Sequence, residues 1–251
     1  MELKTLDTAL SLLAHFTPRR PEWGVRELSG ELGLSRSVVH RMLATFEHHG
    51  FLSQSAQTGK YALGVRFWEF GVMFRDRFEV AGAVAAMLQE GADSTGETFF
   101  LALLQGDESI CTQIAESSES VKVAINLGER TPLPAGSRGK VILAFLPEPR
   151  QQSILSTATT GMQAAEARAY VEKIRIELAK IRVDGWCMTQ AERLTGVVGM
   201  SVPIFDRQGN VVGSVALGGP RSRMTKQKLE QCLSVVKAVG LKIQNHFQEF
   251  S

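Results

Sequence analysis

Apolar residues at the head of the chain recur with helical spacing. Leu6, Leu10, Leu13 and Phe16 form one stripe, which predicts a helix over 5–16. Pro18 ends it, because its ring disfavours helix in Thr17. Val25, Leu28 and Leu32 predict a second helix over 25–32 that faces the same core. A third helix follows, with Ser35 as its N-cap and Val39, Met42, Leu43 and Phe46 within one arc of the helical wheel. Gly33 suits a left-handed turn between the two, and Gly50 is placed to stop the third. Residues 51–54 and 60–63 read as short strands around a Thr58-Gly59 turn. Helix, turn, helix and hairpin together predict a winged helix-turn-helix, which sets one helix into the major groove of DNA.

The pattern then changes. Residues 64–92 read as two helices with a bend, carrying more aromatic residues than a free linker needs, as if part packs on another subunit. Strands are predicted over 97–104, 109–115 and 121–125, and a loop over 126–136. A helix over 137–146, capped by Ser137 and stopped by Pro147, precedes an amphipathic helix over 164–181. Strands over 186–189, 197–205 and 211–217 and a last helix from Thr225 to Phe250 complete the order β-β-β-α-α-β-β-β-α. This order predicts an α+β domain with a mostly antiparallel sheet flanked by helices. The expected organisation is two domains, over 1–63 and 93–251, joined by linker helices over 64–92.

At 251 residues, one or two domains are expected. No apolar run is long enough for a membrane helix, and residues 1–7 lack a signal-peptide pattern. Three widely spaced cysteines, Cys111, Cys187 and Cys232, make no metal or redox pattern and fit a reducing cytoplasm, the expected location. Net charge is +2, and its excess is confined to the front. Residues 1–77 hold ten Lys and Arg against eight Asp and Glu, and eighteen of each follow. Within 33–66 Glu47 is the single acid, against Arg36, Arg41, Lys60 and Arg66. This is a modest phosphate-binding signature.

The outward arc of the third helix holds Ser37, Arg41, Ala44, Thr45 and His48, flanked by Arg36, Val38 and His40. Arg41 can donate to guanine O6 and N7 or to a phosphate, and Val38 can pack on a thymine methyl. Ser37 and the helix N-terminus suit a phosphate oxygen, and Lys60 on the wing reaches the backbone or minor groove. The candidate DNA contacts are Arg26, Ser35, Arg36, Ser37, Val38, His40, Arg41, Thr45 and Lys60. The competing reading is a three-helix packing unit with a solvated polar face.

The N-terminus of the helix at Ser137 is a candidate anion site. Arg138 in its first turn is disfavoured by the helix dipole. It either clamps a bound carboxylate or pairs with Glu129 at the surface. No nucleophile has a base near it in sequence: Cys187 has no neighbouring histidine, and His15, His40, His48, His49 and His246 lie elsewhere. No catalytic site, metal site or cofactor is expected.

These landmarks resemble the IclR family of bacterial transcription regulators over nearly the whole chain. The resemblance rests on Glu22-Trp23-Gly24, on residues 32–43, and on Gly50-Phe51-Leu52 and residues 59–64. It continues through Gly96-Glu97-Thr98, Gly139-Lys140, Asp184-Gly185-Trp186, Glu192, Gly196-Val197, residues 202–206 and Gly218-Gly219-Pro220. It implies a GAF-like second domain that binds a small organic effector, a carboxylate or an aromatic compound. It implies homodimers or dimers of dimers on double-stranded operator DNA. It further implies control of a neighbouring catabolic operon, as repressor more than activator. The implied effector-binding residues are Val123, Thr131, Leu133, Ser137, Arg138, Thr189, Gly199, Ala216 and Gly218. Two departures stand out. Val38 replaces the family's usual Thr, and Gly199, Ala216 and Gly218 are small where small-acid sensors carry polar residues. The latter suggests an effector larger, flatter or more apolar than a two- or three-carbon acid.

Overall fold

The computed structural model describes residues 3–77 and 80–250. The chain divides into two compact units, Met1–Arg77 and Phe78–Ser251.

In the first unit, α1 (Lys4–Leu13) leads through β1 (Glu22–Trp23) to α2 (Val25–Leu32) and α3 (Arg36–His48). The wing is β2 (Leu52–Gln54) and β3 (Tyr61–Leu63), followed by α4 (Arg66–Arg77). β1, unforeseen in the sequence, pairs with β3 to make a three-stranded sheet of order β1-β3-β2. Leu12, Leu28, Val39, Leu43, Leu52 and Tyr61 form the core. The predicted face of α1 is corrected: Leu6 and Leu10 are 54% and 55% exposed, and Leu12 is the buried residue. Leu6 and Leu10 belong to an outward stripe that this unit leaves uncovered. Gly33 takes φ +65°, the left-handed turn that glycine adopts without steric cost.

The second unit opens with α5 (Val80–Thr95), β4 (Thr98–Gln105), β5 (Glu108–Ala115) and β6 (Arg130–Pro132). Three helices follow, α6 (Gly136–Phe145), α7 (Glu148–Ala158) and α8 (Ala164–Asp184). Then come β7 (Cys187–Gln190), β8 (Val197–Phe205), β9 (Val211–Pro220), a 3-10 turn (Arg221–Arg223) and α9 (Lys226–Phe250). All six strands pair antiparallel in the order β6-β5-β4-β9-β8-β7. Period-two alternation assigns the faces. Phe99, Leu101, Met200, Val202, Ile204 and Val215 pack on α5 and α9. Phe100, Ser201, Ser214 and Ala216 alternate with them, and the Ser214 hydroxyl donates to the Arg138 carbonyl of α6 at 3.2 Å. The far side of α6 packs on α8 through Ile142, Leu143, Ile174 and Leu178.

Three expectations are corrected. Residues 121–125 form no strand, and the third strand is residues 130–132 within the expected loop. β6 gains its partner only because β5 presents Glu108, Ser109 and Ile110 to it, a tertiary pairing with no local signature. α7 was missed: Pro147 ends α6 and is also the N-cap of α7, so one signal served two boundaries. Ser137 is not a cap, because α6 starts at Gly136 with Ala135 as N-cap, which puts Ser137 inside the first turn.

Candidate DNA-reading surface and ligand cavity

α3 is held by Val39 and Leu43, both 0% exposed, and turns its other side outward. Arg26, Ser35, Arg36, Ser37, His40, Arg41 and Thr45 are all exposed. Ser35 is the N-cap residue, but its hydroxyl lies 3.2 Å from that of Ser37 and caps no amide. Both hydroxyls therefore sit at the open N-terminus of α3, where the helix dipole favours an anion. The Thr45 hydroxyl donates to the Arg41 carbonyl at 2.8 Å, which leaves its methyl to face outward contacts. Val38 is half-buried and shares a groove with Leu6 and Ala9 of α1, alongside Arg41 and Thr45.

Lys60 is tethered. Its ammonium lies 3.0 Å from Glu27, which also accepts the Gly24 amide at 3.0 Å and pairs with Arg20 at 3.3 Å. The Gly24 amide and Lys60 hold the Glu27 carboxyl at about 2, well below the carboxylate range. Such an exposed pair is worth little in water, so a phosphate can take the lysine over.

In the second unit, the first turn of α6 abuts a cavity of about 60 Å³. Val123, Ser137, Arg138, Thr189, Gly199 and Gly218 line it. Thr131, Leu133 and Ala216 do not. Thr131 lies behind the wall, where its hydroxyl accepts from Arg193 at 2.9 Å and from Arg138. Leu133 is buried beneath α6, its carbonyl pressed on Gly139. Ala216 is buried against Phe100 and Cys111.

Sequence reasoning missed Phe100, Ile125, Arg193, Leu194 and Leu217, which also line the cavity. Phe100 pairs with Ala216 across β4 and β9, so alternation places it on the cavity face. Arg193 and Leu194 lie between β7 and β8, where no periodicity exists to read.

The strand wall of the cavity is filled from opposite where its residues are small. The space beside Gly199 is taken by Ser137, whose Oγ lies 2.9 Å from where a Cβ would stand, and Val123 lies 3.5 Å from the same point on Gly218. Small residues in the strands thus receive side chains from opposite.

The electrostatics are concentrated at α6. Arg138 is 4% exposed. Its Nη2 lies 3.3 Å from both the carbonyl and Oε1 of Glu129. Arg193 Nη1 approaches the same Oε1 to 2.5 Å. Burial and the Arg193 charge press the Arg138 guanidinium below its ordinary value, and Glu129 opposes them. The surface reading of Arg138 is corrected: it pairs with Glu129 in the interior, where it also lines the cavity.

Two residues on, Lys140 is 3% exposed and meets Glu177 of α8 at 2.6 Å and Glu192 at 2.5 Å. Burial alone would lower its pKa, but the two carboxylates more than offset this and raise it. Lys140 so fixes Glu192, and with it the neighbouring Arg193, against α6.

Cys111 and Cys187 are buried, and burial pushes their thiols up to about 11 and about 12, which suppresses thiolate chemistry at neutral pH. Among the described residues, no group of His, Cys, Asp and Glu could hold a metal ion, and no helix is long and apolar enough to cross a membrane.

A winged helix-turn-helix with an outward polar and cationic helix, carried on a chain whose second unit walls a small cationic cavity, defines a ligand-responsive regulator of the DNA-binding class. The chain belongs to the IclR family of bacterial transcriptional regulators. The IclR helix-turn-helix domain matches residues 5–56, and the bacterial transcriptional regulator IclR C-terminal domain matches residues 74–245. The HTH-type transcriptional regulator KipR of Bacillus subtilis is 27% identical over 240 residues, covering 96% of this chain and 95% of its own. The HTH-type transcriptional repressor AllR of Klebsiella pneumoniae is 25% identical over 251 residues, covering 96% and 92%. A crystal structure of an IclR transcriptional regulator from a Silicibacter species superposes with a TM-score of 0.85 at 27% identity, covering 97% of this chain and 96% of that one. The family is one of regulators and not of enzymes.

Proposed function

We propose that this chain is a cytoplasmic repressor that binds operator DNA as a homodimer, or as a dimer of dimers, and is controlled by a small carboxylate. It governs a neighbouring catabolic operon. The observation that carries the reading is α3. Its apolar arc is buried, while Arg36, Ser37, His40 and Arg41 stand exposed around its N-terminal half, as groove entry requires. Ser35 and Arg36 at the helix start and Lys60 on the wing supply phosphate contacts, Arg26 adds one from α2, and Arg41, Val38 and Thr45 reach base edges. The repressor sign follows the name of the Klebsiella relative. A carboxylate suits the two arginines at the cavity, and Ser137 and Thr189 offer hydroxyls beside them. Val123, Gly199 and Gly218 bound the body of the ligand. Thr131, Leu133 and Ala216 support the wall from behind.

In an electrophoretic mobility shift with the promoter DNA upstream of its own gene, the protein retards the fragment, and millimolar propionate or benzoate weakens the shift. Absence of any retardation refutes the DNA reading, and retardation indifferent to both acids refutes the carboxylate control.

Dimerisation rests on apolar surface that the first unit leaves uncovered. Leu6 and Leu10 on α1, and Trp68, 72% exposed, and Met73, 65% exposed, on α4 all stand outward. A two-fold operator needs a two-fold protein, and a self-complementary apolar face supplies it. Trp68→Glu shifts the protein towards monomer in light scattering and lowers operator affinity by more than tenfold. A fully dimeric variant would remove α4 from the interface.

A further inference from the structure

Glu129 already holds the two cations that a ligand of this cavity would meet. Its Oε1 is shared by Arg138, at 3.3 Å, and Arg193, at 2.5 Å, so two cations are served by one carboxylate. Both arginines line the cavity and Glu129 stands behind its lining, so a ligand in the cavity competes with Glu129 for the same pair of cations. Arg138 Nε is fully buried and has no hydrogen-bond partner. The guanidinium thus has an unused donor next to the one spent on Glu129. A tethered side chain makes only single-atom contact with Arg138, whereas a free carboxylate can take two adjacent N–H groups at once. The Glu129 side chain is already 23% exposed, so it can pass into water, where its carboxylate is solvated.

We infer that an effector carboxylate exchanges with Glu129: it takes the place of that side chain between Arg138 and Arg193. This rests on the reading of the cavity as the effector site. The exchange carries a structural consequence. Glu129 Oε2 accepts the Asn126 amide at 3.4 Å, so one carboxylate ties the arginine pair to the segment that precedes it. Val123 and Ile125 of that segment form a wall of the cavity. The Glu129 backbone stays anchored, because its carbonyl accepts the Cys111 amide of β5 at 3.0 Å. Carboxylate entry therefore removes one tie on Asn126 without unpairing the sheet, while the Glu129 amide to the Asn126 carbonyl, at 3.1 Å, and Arg223 to the Val121 carbonyl, at 2.7 Å, remain. The ligand conserves the ion pairs and loosens the wall at Asn126.

The test is Glu129→Gln, with propionate as probe and propionamide as its neutral counterpart, followed by calorimetry and thermal unfolding. Exchange predicts that the variant is less stable than wild type alone, yet binds propionate about tenfold more tightly, because the internal competitor is weakened. It further predicts that the stability difference closes at saturating propionate, since neither bound protein keeps the Glu129 contact. Propionamide closes nothing. Glu129→Asp, one methylene too short to span both arginines, gives the same pattern with the charge retained and covers the case in which Glu129→Gln does not fold. If propionate binds but no tighter to the variants, or if the stability gap persists at saturation, the carboxylate adds beside Glu129. Exchange is then wrong while the cavity reading stands. If propionate and benzoate bind neither wild type nor variants, both fall.

Discussion

Arg41→Ala is expected to lower operator affinity by roughly 5- to 150-fold, the value of about 1–3 kcal/mol for one bidentate base contact. The side chain is exposed on α3, two residues from each of the buried Val39 and Leu43 and so on the opposite side of the helix, and its removal leaves the core untouched. The thermal midpoint of the first unit should accordingly stay within about 2–4 °C, surface substitutions costing little. The nature of the contact can be read from the same variant. If Arg41 reads a guanine, affinity falls for operator and hardly at all for unrelated DNA. If it binds a phosphate, both fall together and the dependence of log affinity on log salt flattens by about one unit. Undiminished binding to every DNA would place the reading surface elsewhere.

Gly139→Ala is expected to destabilise the second unit by about 1–3 kcal/mol, the cost of forcing a methyl into a packed interior. A Cβ at Gly139 would stand 2.5 Å from the Leu133 carbonyl oxygen and 2.9 Å from its Cα. Both are backbone atoms, so no rotamer change relieves the clash, and α6 must shift. That helix carries Ser137 and Arg138 into the cavity and Lys140 into its pair of carboxylates. Propionate binding should therefore weaken along with stability. Hydrogen exchange separates the units: amides of α6, β8 and β9 lose protection, while those of α2 and α3 keep theirs. Gly199→Ala makes the contrast. Its nearest obstacle is the Ser137 hydroxyl, at 2.9 Å, which can rotate away. A loss of stability equal in the two variants would show that the α6–Leu133 contact is not tight.

The helices of the first unit were legible because their signals are local. The α3 arc, the Gly33 turn and the two wing strands all lie within one or two turns of chain, and each held its position. The second unit was legible where alternation or amphipathic spacing ran long, as over 197–205 and 164–181. It failed over 121–132. There Val121, Val123 and Ile125 alternate like a strand, yet the residues that find a partner are 130–132. β propensity reports fit to a pleated surface, and which surface is available is a tertiary fact.

The candidate site shows the same division. Arg138 was conspicuous because a cation at a helix N-terminus is unfavourable there. Arg193 carried no such mark, because it lies between strands and acts through Glu129, 64 positions away by number. The stripe on α1 was correctly seen as apolar and wrongly turned inward. Periodicity fixes which residues share a face but not which face is covered.

By itself, then, the chain determined its DNA-reading unit, its antiparallel α+β class and its family, since all three rest on short-range patterns of side-chain spacing and glycine placement. Only the tertiary structure decided how the cavity of the second unit is walled and charged. The size of the cavity depends on Ser137 and Val123 filling the space that Gly199 and Gly218 leave, and its charge depends on two arginines converging on one glutamate. Volume and electrostatic potential are set by groups distant in sequence and adjacent in space, and no local pattern records them.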